Sequence, residues 1–282
     1  MRFPASFVLL LAAVYSVSAQ EFTGLDDLRA QFAGVQAQAK AQKSIPQAPP
    51  LRAMGVAGRS AMTSLDVAAA PDVSSYAVRG IDISHHQFTI DWSQVRTAGL
   101  SFAYIKATEG GDGVDEDFAQ NWAGAGSAGL AHGAYHFYNF CKTGSEQADN
   151  FIRTVPAEAG VLPATVDLEE SADCKTMPAK AAFRKDLAAF VAKIRSVYGR
   201  PPILYINYRI YDKYFKGEKD SYTFWIADVN HAAPSMPAWT MWQYGWHGRV
   251  AGIVDEVDLD VFNGTPEEFA ALIGPSVLVA QP

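Results

Sequence analysis

The chain has 282 residues, of which 49% are hydrophobic, and it carries a formal net charge of -7 with an isoelectric point near 5.3. This length and composition are typical of a globular protein with one large domain and a smaller appendage. The acidic balance, without any stripe of Lys and Arg, argues against nucleic acid as a partner.

The first 19 residues have the pattern of an export signal. Met1 and Arg2 provide a positive start, residues 7–14 form a short apolar core, and small residues up to Ala19 provide a cleavage site. The apolar core is too short to span a bilayer and no later stretch qualifies, so we expect no integral span in the mature chain. The sequence therefore predicts a protein that is secreted or delivered to the periplasm.

Residues 20–77 differ in character from the rest of the chain. Apolar residues recur at steps of three and four between Leu25 and Ala39, which predicts one amphipathic helix. A stretch rich in Pro, Ala and Gly follows, as is typical of a linker. A pro-segment, an envelope spacer and a docking helix all remain open as interpretations of this region.

From Val78 onward, predicted strands and helices alternate. Each of the first five strands is followed by a helix, and three further strands with little helix between them complete the pattern. The eight strands are predicted at 78–84, 101–108, 131–138, 163–169, 202–207, 223–228, 239–244 and 254–261. Repeated β/α units indicate a parallel sheet, and eight strands can close into a barrel. A doubly wound open sheet is the alternative, but no phosphate-binding glycine motif follows the first strand.

Acidic residues concentrate near the ends of these strands. Asp167 and Glu169 lie two residues apart in an otherwise apolar strand, so both carboxylates point to the same face. Asp82 lies near the end of the first strand and Asp258 lies in the eighth. Because barrels of this kind carry their chemistry at one rim, we expect the four acids to meet there.

Polar and aromatic side chains accompany the acids. The polar residues near the other strand ends are Glu109, His136, Tyr205 and Gln243, and flat aromatic faces come from Trp225, Trp242 and Tyr244. Crowded carboxylates raise one another's pKa, so one of them is expected to stay protonated near neutral pH and to serve as an acid. Paired acids beside Trp and Tyr are what cleavage of a glycosidic bond requires.

The remaining motifs indicate no other chemistry. Neither a G-x-S-x-G elbow nor an H-E-x-x-H helix occurs, and no His, Cys, Asp and Glu spacing predicts a metal site. The two cysteines, Cys141 and Cys174, form an even pair in a chain with an export signal. That pairing favours a disulfide over two free thiols.

Nine short motifs occur in an order that resembles glycoside hydrolase family 25, the CH-type lysozymes. They are Gly80–Ser84, Ile90–Trp92, Phe102–Gly110, Gly133–Phe137, Val166–Glu169, Ile203–Tyr205, Trp225–Ala227, Trp242–Tyr244 and Val257–Leu259. Each motif is weak alone, but together they cover about residues 78–265. The resemblance implies an α/β fold, a TIM-like barrel of the (β/α)5β3 type over residues 78–270, with residues 271–282 as a tail.

The resemblance also implies a reaction. Its substrate is the glycan strand of peptidoglycan, cut at the β-1,4 bond between N-acetylmuramic acid and N-acetylglucosamine, with retained configuration and no cofactor. Glu169 corresponds to the general acid, and Asp167 to a partner that orients the substrate N-acetyl group or stabilises its charge. Asp82 and Asp258 correspond to the other acids of the cleft. The residues that would line the sugar sites are Glu109, His136, Tyr205 and Gln243. We expect a monomer.

Two features of the reaction stay open at this point. The anion at the reaction centre is either an enzyme carboxylate or the acetamido group of the substrate. An inverting reaction needs carboxyl groups roughly 6.5–9.5 Å apart, and adjacency on one strand leaves little room for its water between Asp167 and Glu169. The alternatives to a muramidase are a peptidoglycan-binding protein without turnover and a hydrolase of another amino-sugar polymer, such as chitin.

The chain departs from the family pattern at two positions. Asp260 stands where Asn is common, and it either raises the proton affinity of Glu169 or changes only the sugar contacts. Phe88 stands where glycine is common, which would narrow one side of the cleft. Both departures bear on substrate preference more than on the type of reaction.

Overall fold

The computed structural model describes residues 71–219, 221–236 and 238–273. The predicted export signal at 1–19 lies outside these residues, as do the predicted amphipathic helix and the linker up to residue 70. Most of the predicted tail, from residue 274, also lies outside.

The strands in this part of the chain are β1 (Arg79–Ile83), β2 (Phe102–Glu109), β3 (Gly113–Val114), β4 (Ala131–Phe137), β5 (Thr165–Leu168), β6 (Ile203–Ile206), β7 (Phe224–Ala227), β8 (Trp239–Gly248) and β9 (Val257–Phe262). All of them except β3 form a closed barrel, because β1 pairs with both β2 and β9. The prediction of an eight-stranded barrel is confirmed. The short strand β3 extends the sheet at the end of β2.

Helices follow the first five barrel strands, which confirms the (β/α)5β3 pattern. They are α1 (Trp92–Thr97), α2 (Phe118–Ser127), α3 (Gly144–Thr154), α4 (Lys180–Tyr198) and α5 (Tyr208–Ile210), which continues as a π-helical turn over Tyr211–Phe215. A further helix that was not predicted, α6 (Pro266–Leu272), includes two residues that the sequence analysis assigned to the tail. No helix within the described ranges is long and apolar enough to cross a membrane.

Local sequence signals explain where several helices begin and end. Asp91 caps α1 by accepting hydrogen bonds from the next turn, and Thr143 caps α3 in the same way. Gly199 ends α4 with φ of 75°, a left-handed conformation that glycine adopts at little cost. The Asp91 cap fixes the end of the loop after β1, which carries the cavity residues Ser84, His86 and Gln87.

The last strand reverses direction. The other barrel strands are parallel to their neighbours, whereas β9 is antiparallel to both β8 and β1. The end of β9 that lies beside the C-terminal end of β1 is therefore its N-terminal end. Asp258, the second residue of β9, consequently pairs directly with Asp82. The residue pattern of this strand does not indicate the reversal.

The apolar core has two layers, one inside the barrel and one between the strands and the helices. The inner layer contains large side chains such as Phe102, Tyr104 and Met241, and Phe269 of α6 packs against it. A Cβ atom at Gly80 would lie 2.4 Å from the ring of Phe102, so only glycine lets β1 approach this layer. The inner layer fills the lower part of the barrel and leaves its opposite end for polar groups.

Candidate active site

A cavity of about 260 Å³ lies inside the barrel at the C-terminal ends of the parallel strands. It is lined by Asp82, Ile83, Ser84, His86, Gln87, Lys106, Tyr135, Phe137, Thr165, Asp167, Glu169, Tyr205, Trp225, Gln243 and Asp258. The four acids predicted as catalytic are all in this set. The structure thus brings together carboxyl groups from three different strands and one loop.

Strand β5 positions two of the acids by simple alternation. Thr165, Asp167 and Glu169 face the cavity, while Val166 and Leu168 are fully buried in the outer layer. Glu169 lies one residue beyond the end of the strand, and it is more exposed than Asp167. The shared face predicted for these two acids is present.

A hydrogen-bond network fixes the side chain of Gln243 between the acids. Its Nε2 donates to Oδ2 of Asp82 at 2.8 Å and, more weakly, to Oδ2 of Asp258 at 3.4 Å. Its Oε1 accepts from the hydroxyl of Tyr205 at 2.7 Å and from Nε1 of Trp246 at 2.9 Å. Because Oε1 receives two donors, the amide nitrogen must face the carboxylates.

Burial raises the pKa of every acid that lines the cavity. The pKa of Asp82 rises to about 6 and that of Asp258 to about 8, and the charge of Asp82 adds to the effect on Asp258. Burial also raises the pKa of Glu169 and lifts that of Asp167 well above its usual range. The charge of Asp82 then raises the pKa of Glu169 further, whereas Lys106 opposes it. These groups therefore share protons near neutral pH.

His136 does not lie in the cavity, so its predicted role at a sugar site is not supported by its position. Its side chain is fully buried on the opposite face of β4. Nε2 donates to Oε1 of Gln147 at 3.2 Å, and Nδ1 accepts from the hydroxyl of Thr108 at 2.7 Å. Burial lowers the pKa of His136 to about 4, so the ring is neutral and ties β4 to α3.

Three other predicted sugar contacts also lie outside the cavity lining. Trp242 is fully buried on the other face of β8, where Nε1 donates to the carbonyl of Asp228 at 2.7 Å. Tyr244 is half-buried and contacts Trp242. Glu109 lines a neighbouring cavity and pairs with Lys106 at 2.7 Å. The two cavities share Lys106.

Trp225 lines the cavity floor rather than an open wall. It is 1% exposed, and its Nε1 donates to Oδ1 of Asp260 at 3.0 Å. Its ring also contacts Tyr104 and Tyr205. Trp246, by contrast, is 50% exposed and holds Gln243 from the rim.

Sequence reasoning missed five cavity residues on the strands: Ile83, Lys106, Tyr135, Phe137 and Thr165. The two-residue period identifies Thr165, because it lies two positions before Asp167. On β4 the period defines two faces, and the polar His136 suggested the wrong one. Burial and the charges of Asp82, Asp167 and Asp258 raise the pKa of Tyr135, so its hydroxyl stays protonated among the acids.

The predicted disulfide is present. Cys141 and Cys174 are bonded, with a Cα–Cα distance of 5.4 Å. Cys141 lies in the loop after β4 and Cys174 in the loop after β5, which begins at Glu169. The bond therefore joins two loops at the rim that holds the acids.

The arrangement is suited to acid-assisted cleavage of a glycosidic bond. A carboxyl group with a raised pKa, such as that of Glu169, can supply a proton, and neighbouring carboxylates can supply negative charge for an oxocarbenium-like centre. No group of three or more His, Cys, Asp and Glu side chains in the described residues is arranged to hold a metal ion.

Comparison with known proteins agrees with this chemistry. The profile of the family described as "Glycosyl hydrolases family 25" matches residues 81–253. The chain is 35% identical over 209 residues to Lysozyme M1 of Streptomyces globisporus, covering 69% of this chain and 71% of that protein. The crystal structure of a lysozyme from Streptomyces coelicolor matches with a TM-score of 0.66 and 33% identity, over 70% of this chain and 97% of that one. A family 25 glycosyl hydrolase from Bacillus anthracis matches with a TM-score of 0.66 and 34% identity, over 76% and 99%. This chain therefore belongs to glycosyl hydrolase family 25 and is a glycoside hydrolase.

Proposed function

We propose that this enzyme is a lysozyme that cleaves the β-1,4 bond between N-acetylmuramic acid and N-acetylglucosamine in peptidoglycan. The observation that carries the proposal is the meeting of Asp82, Asp167, Glu169 and Asp258 in one cavity whose end lies open to solvent at Glu169. The lysozymes among its relatives favour peptidoglycan over chitin as the substrate.

Glu169 is the general acid of this mechanism. It is the most accessible group on the β5 face, and its raised pKa keeps a proton available near neutral pH. It donates that proton to the glycosidic oxygen as the bond to the leaving sugar breaks. The same carboxylate then takes a proton from the incoming water.

Asp167 is the partner of Glu169 in this mechanism. None of the described residues donates a hydrogen bond to its buried Oδ1, which leaves this oxygen available to the N-acetyl group of the substrate. Two acids side by side on one strand suit retention, since a retaining pair lies about 5–5.5 Å apart and an inverting pair farther. The anion that meets the anomeric carbon is then either Asp167 or the acetamido oxygen that Asp167 orients.

The test is the release of new reducing ends from purified sacculi. We expect Glu169→Gln to lower the rate by about 10²–10⁴-fold or more, because the general acid is lost, while the thermal unfolding temperature changes little. Glu170→Gln is the matched control. Glu170 is the residue after Glu169, and its carboxylate pairs with Arg209 at 2.9 Å on the surface.

The products identify the bond. Borohydride reduction after digestion should convert muramic acid, and not glucosamine, to its alcohol. Reduced glucosamine would contradict the assigned bond, and release from chitin alone would contradict the substrate. Wild-type protein that sediments with sacculi yet yields no reducing ends would show the binding-protein alternative to be right.

We also infer that the enzyme is exported, because the first 19 residues have the pattern of an export signal. An envelope location agrees with a peptidoglycan substrate, and it also agrees with the disulfide. We expect mass spectrometry of the exported protein to find Gln20 at or near its N-terminus. A mature protein that begins at Met1 would contradict this inference.

A further inference from the structure

Asp260 is a fully buried acid beneath the cavity that the mechanism above does not use. It lies two residues after Asp258 on β9 and does not line the cavity. Its Oδ1 accepts a hydrogen bond from Nε1 of Trp225 at 3.0 Å. Its Oδ2 is buried, and none of the N–H or O–H donors in the described residues reaches it.

A second carboxyl group, that of Asp82, lies close to Asp260. Asp260 lies within hydrogen-bond range of Asp82, on the strand that pairs with β9. Two carboxylates in such contact repel each other, whereas one proton between them makes a strong hydrogen bond. A proton on Asp260 would also provide the buried Oδ2 with its missing partner.

The surroundings decide which of the two acids carries that proton. Asp82 lines the cavity and accepts a hydrogen bond from Nε2 of Gln243 at 2.8 Å, which stabilises its charged form. Asp260 has 0% exposure and a single neutral donor, Trp225. The negative charge therefore has a lower free energy on Asp82 than on Asp260.

We propose that Asp260 is protonated in the folded enzyme and donates its carboxyl hydrogen bond to Asp82, which holds Asp82 as the anion beside Glu169. Asp260 is thus a positioning residue that acts through Asp82. The part of the proposal that concerns Glu169 rests on the proposed function.

The charges around Asp260 agree with a neutral side chain. The groups that act on its pKa are Asp82, Asp258 and Trp225, and none of them is positive. Burial and the two acids raise that pKa well above its usual range. From two other strands, Tyr104 and Tyr244 also interact with Asp260, and both have raised pKa values and stay neutral.

The consequence for catalysis follows from the charge of Asp82. That charge raises the pKa of Glu169, which keeps the general acid protonated. Without a donor from Asp260, the pKa of Asp82 itself would rise, and Asp82 would tend to become neutral. Glu169 would then lose its proton at a lower pH.

The first test compares the pH dependence of kcat for the wild type, Asp260→Asn and Asp260→Leu on soluble peptidoglycan fragments. Asn offers an N–H to Asp82 and an oxygen to Trp225, whereas Leu offers neither. We expect Asp260→Leu to move the basic limb of the pH profile to lower pH and to reduce kcat with little change in KM. We expect Asp260→Asn to keep that limb near the wild-type position. Equal shifts for Asp260→Asn and Asp260→Leu would mean that Asp260 acts as a charge, and this result or the absence of any shift would overturn the proposal.

The second test needs neither activity nor a folded Leu variant. It measures Tm for the wild type and Asp260→Asn between pH 4 and pH 8. An unfolded Asp titrates near pH ~3.9, so a residue that stays protonated when folded loses its stabilising contribution as pH rises above that value. The Tm of Asp260→Asn minus the Tm of the wild type should therefore increase as pH rises. A flat or shrinking difference would overturn the proton assignment.

The two tests separate this proposal from the proposed function. A Tm difference that grows with pH in a protein that cleaves no peptidoglycan would support the proton on Asp260 and reject the lysozyme assignment. Normal cleavage of peptidoglycan, with a Tm difference that does not change with pH, would support the lysozyme assignment and reject the proton on Asp260.

Discussion

At the scale of single residues, the site concentrates negative charge around one cation. Of the cavity-lining residues in the described ranges, Lys106 alone is a lysine or an arginine. It lowers the pKa of Glu169, while Asp82 raises it. The pKa of Glu169, the proposed general acid, therefore depends on two opposite charges, and this dependence should be visible in the pH dependence of the reaction.

We expect substitutions of these two residues to move the basic limb of the pH profile in opposite directions. Asp82→Asn removes a negative charge, so the pKa of Glu169 falls and activity is lost at lower pH. Lys106→Met removes a positive charge, so the pKa of Glu169 rises and activity persists to higher pH. The measurement is the pH dependence of kcat/KM on soluble fragments.

Surface charge provides the control for this comparison. Glu170→Gln alters a carboxylate that pairs with Arg209 outside the cavity, and the limb should not move. If both Asp82→Asn and Lys106→Met shifted the limb to the same side, electrostatic control of Glu169 would be ruled out.

At the scale of elements, the turn after β1 is strained. Phe88 follows the short helical turn His85–Gln87 with φ of 53° and ψ of -140°, a combination that favours glycine. Its side chain is 63% exposed, so little packing is gained in return. His86 and Gln87 line the cavity, so the strain lies directly beside the candidate site.

We expect Phe88→Gly to stabilise the fold. Relief of the strain is worth about 1–3 kcal/mol, and the greater freedom of glycine in the unfolded chain offsets about 0.5–1 kcal/mol of it. The net gain of about 1 kcal/mol corresponds to a rise in Tm of ~2–4 °C. Thermal unfolding of the purified variant measures it.

The neighbouring residue makes a suitable comparison. Thr89 is exposed and does not have positive φ, so Thr89→Gly should lower Tm. A lower Tm for Phe88→Gly as well would mean that the loop is held by contacts of the Phe88 ring.

Strand β4 shows why one element was interpreted wrongly. The sequence shows that His132, His136 and Tyr138 share one face and that Tyr135 and Phe137 share the other. It does not show which face meets the cavity. A histidine that is fully satisfied by Thr108 and Gln147 packs under a helix as readily as an apolar residue, and only the packing reveals this.

At the scale of the whole molecule, strand β9 closes the barrel and supplies Asp258. It pairs with both β8 and β1, and the residues after it contribute Phe269 to the inner core. Removing β9 would leave two strand edges unpaired and would also remove an acid from the cavity.

We therefore expect a chain limited to residues 71–273 to fold cooperatively and to release reducing ends as the full chain does. A chain limited to residues 71–256 should fail to fold, because it lacks β9 and α6. Circular dichroism during thermal unfolding and the sacculus assay distinguish these outcomes. A cooperative transition in the shorter chain would show that barrel closure is not required for folding.

The sequence by itself determined the eight barrel strands, the common face of Asp167 and Glu169, and the disulfide partners. These features depend on short-range periodicity and on residue type, which are legible in a linear pattern. Only the tertiary structure decided that β9 runs antiparallel, that Trp242 and His136 face away from the cavity, and that Asp260 lies against Asp82. Such features arise from pairing and packing between segments that are distant in the chain, where local alternation defines two faces and the burial of the whole barrel chooses between them.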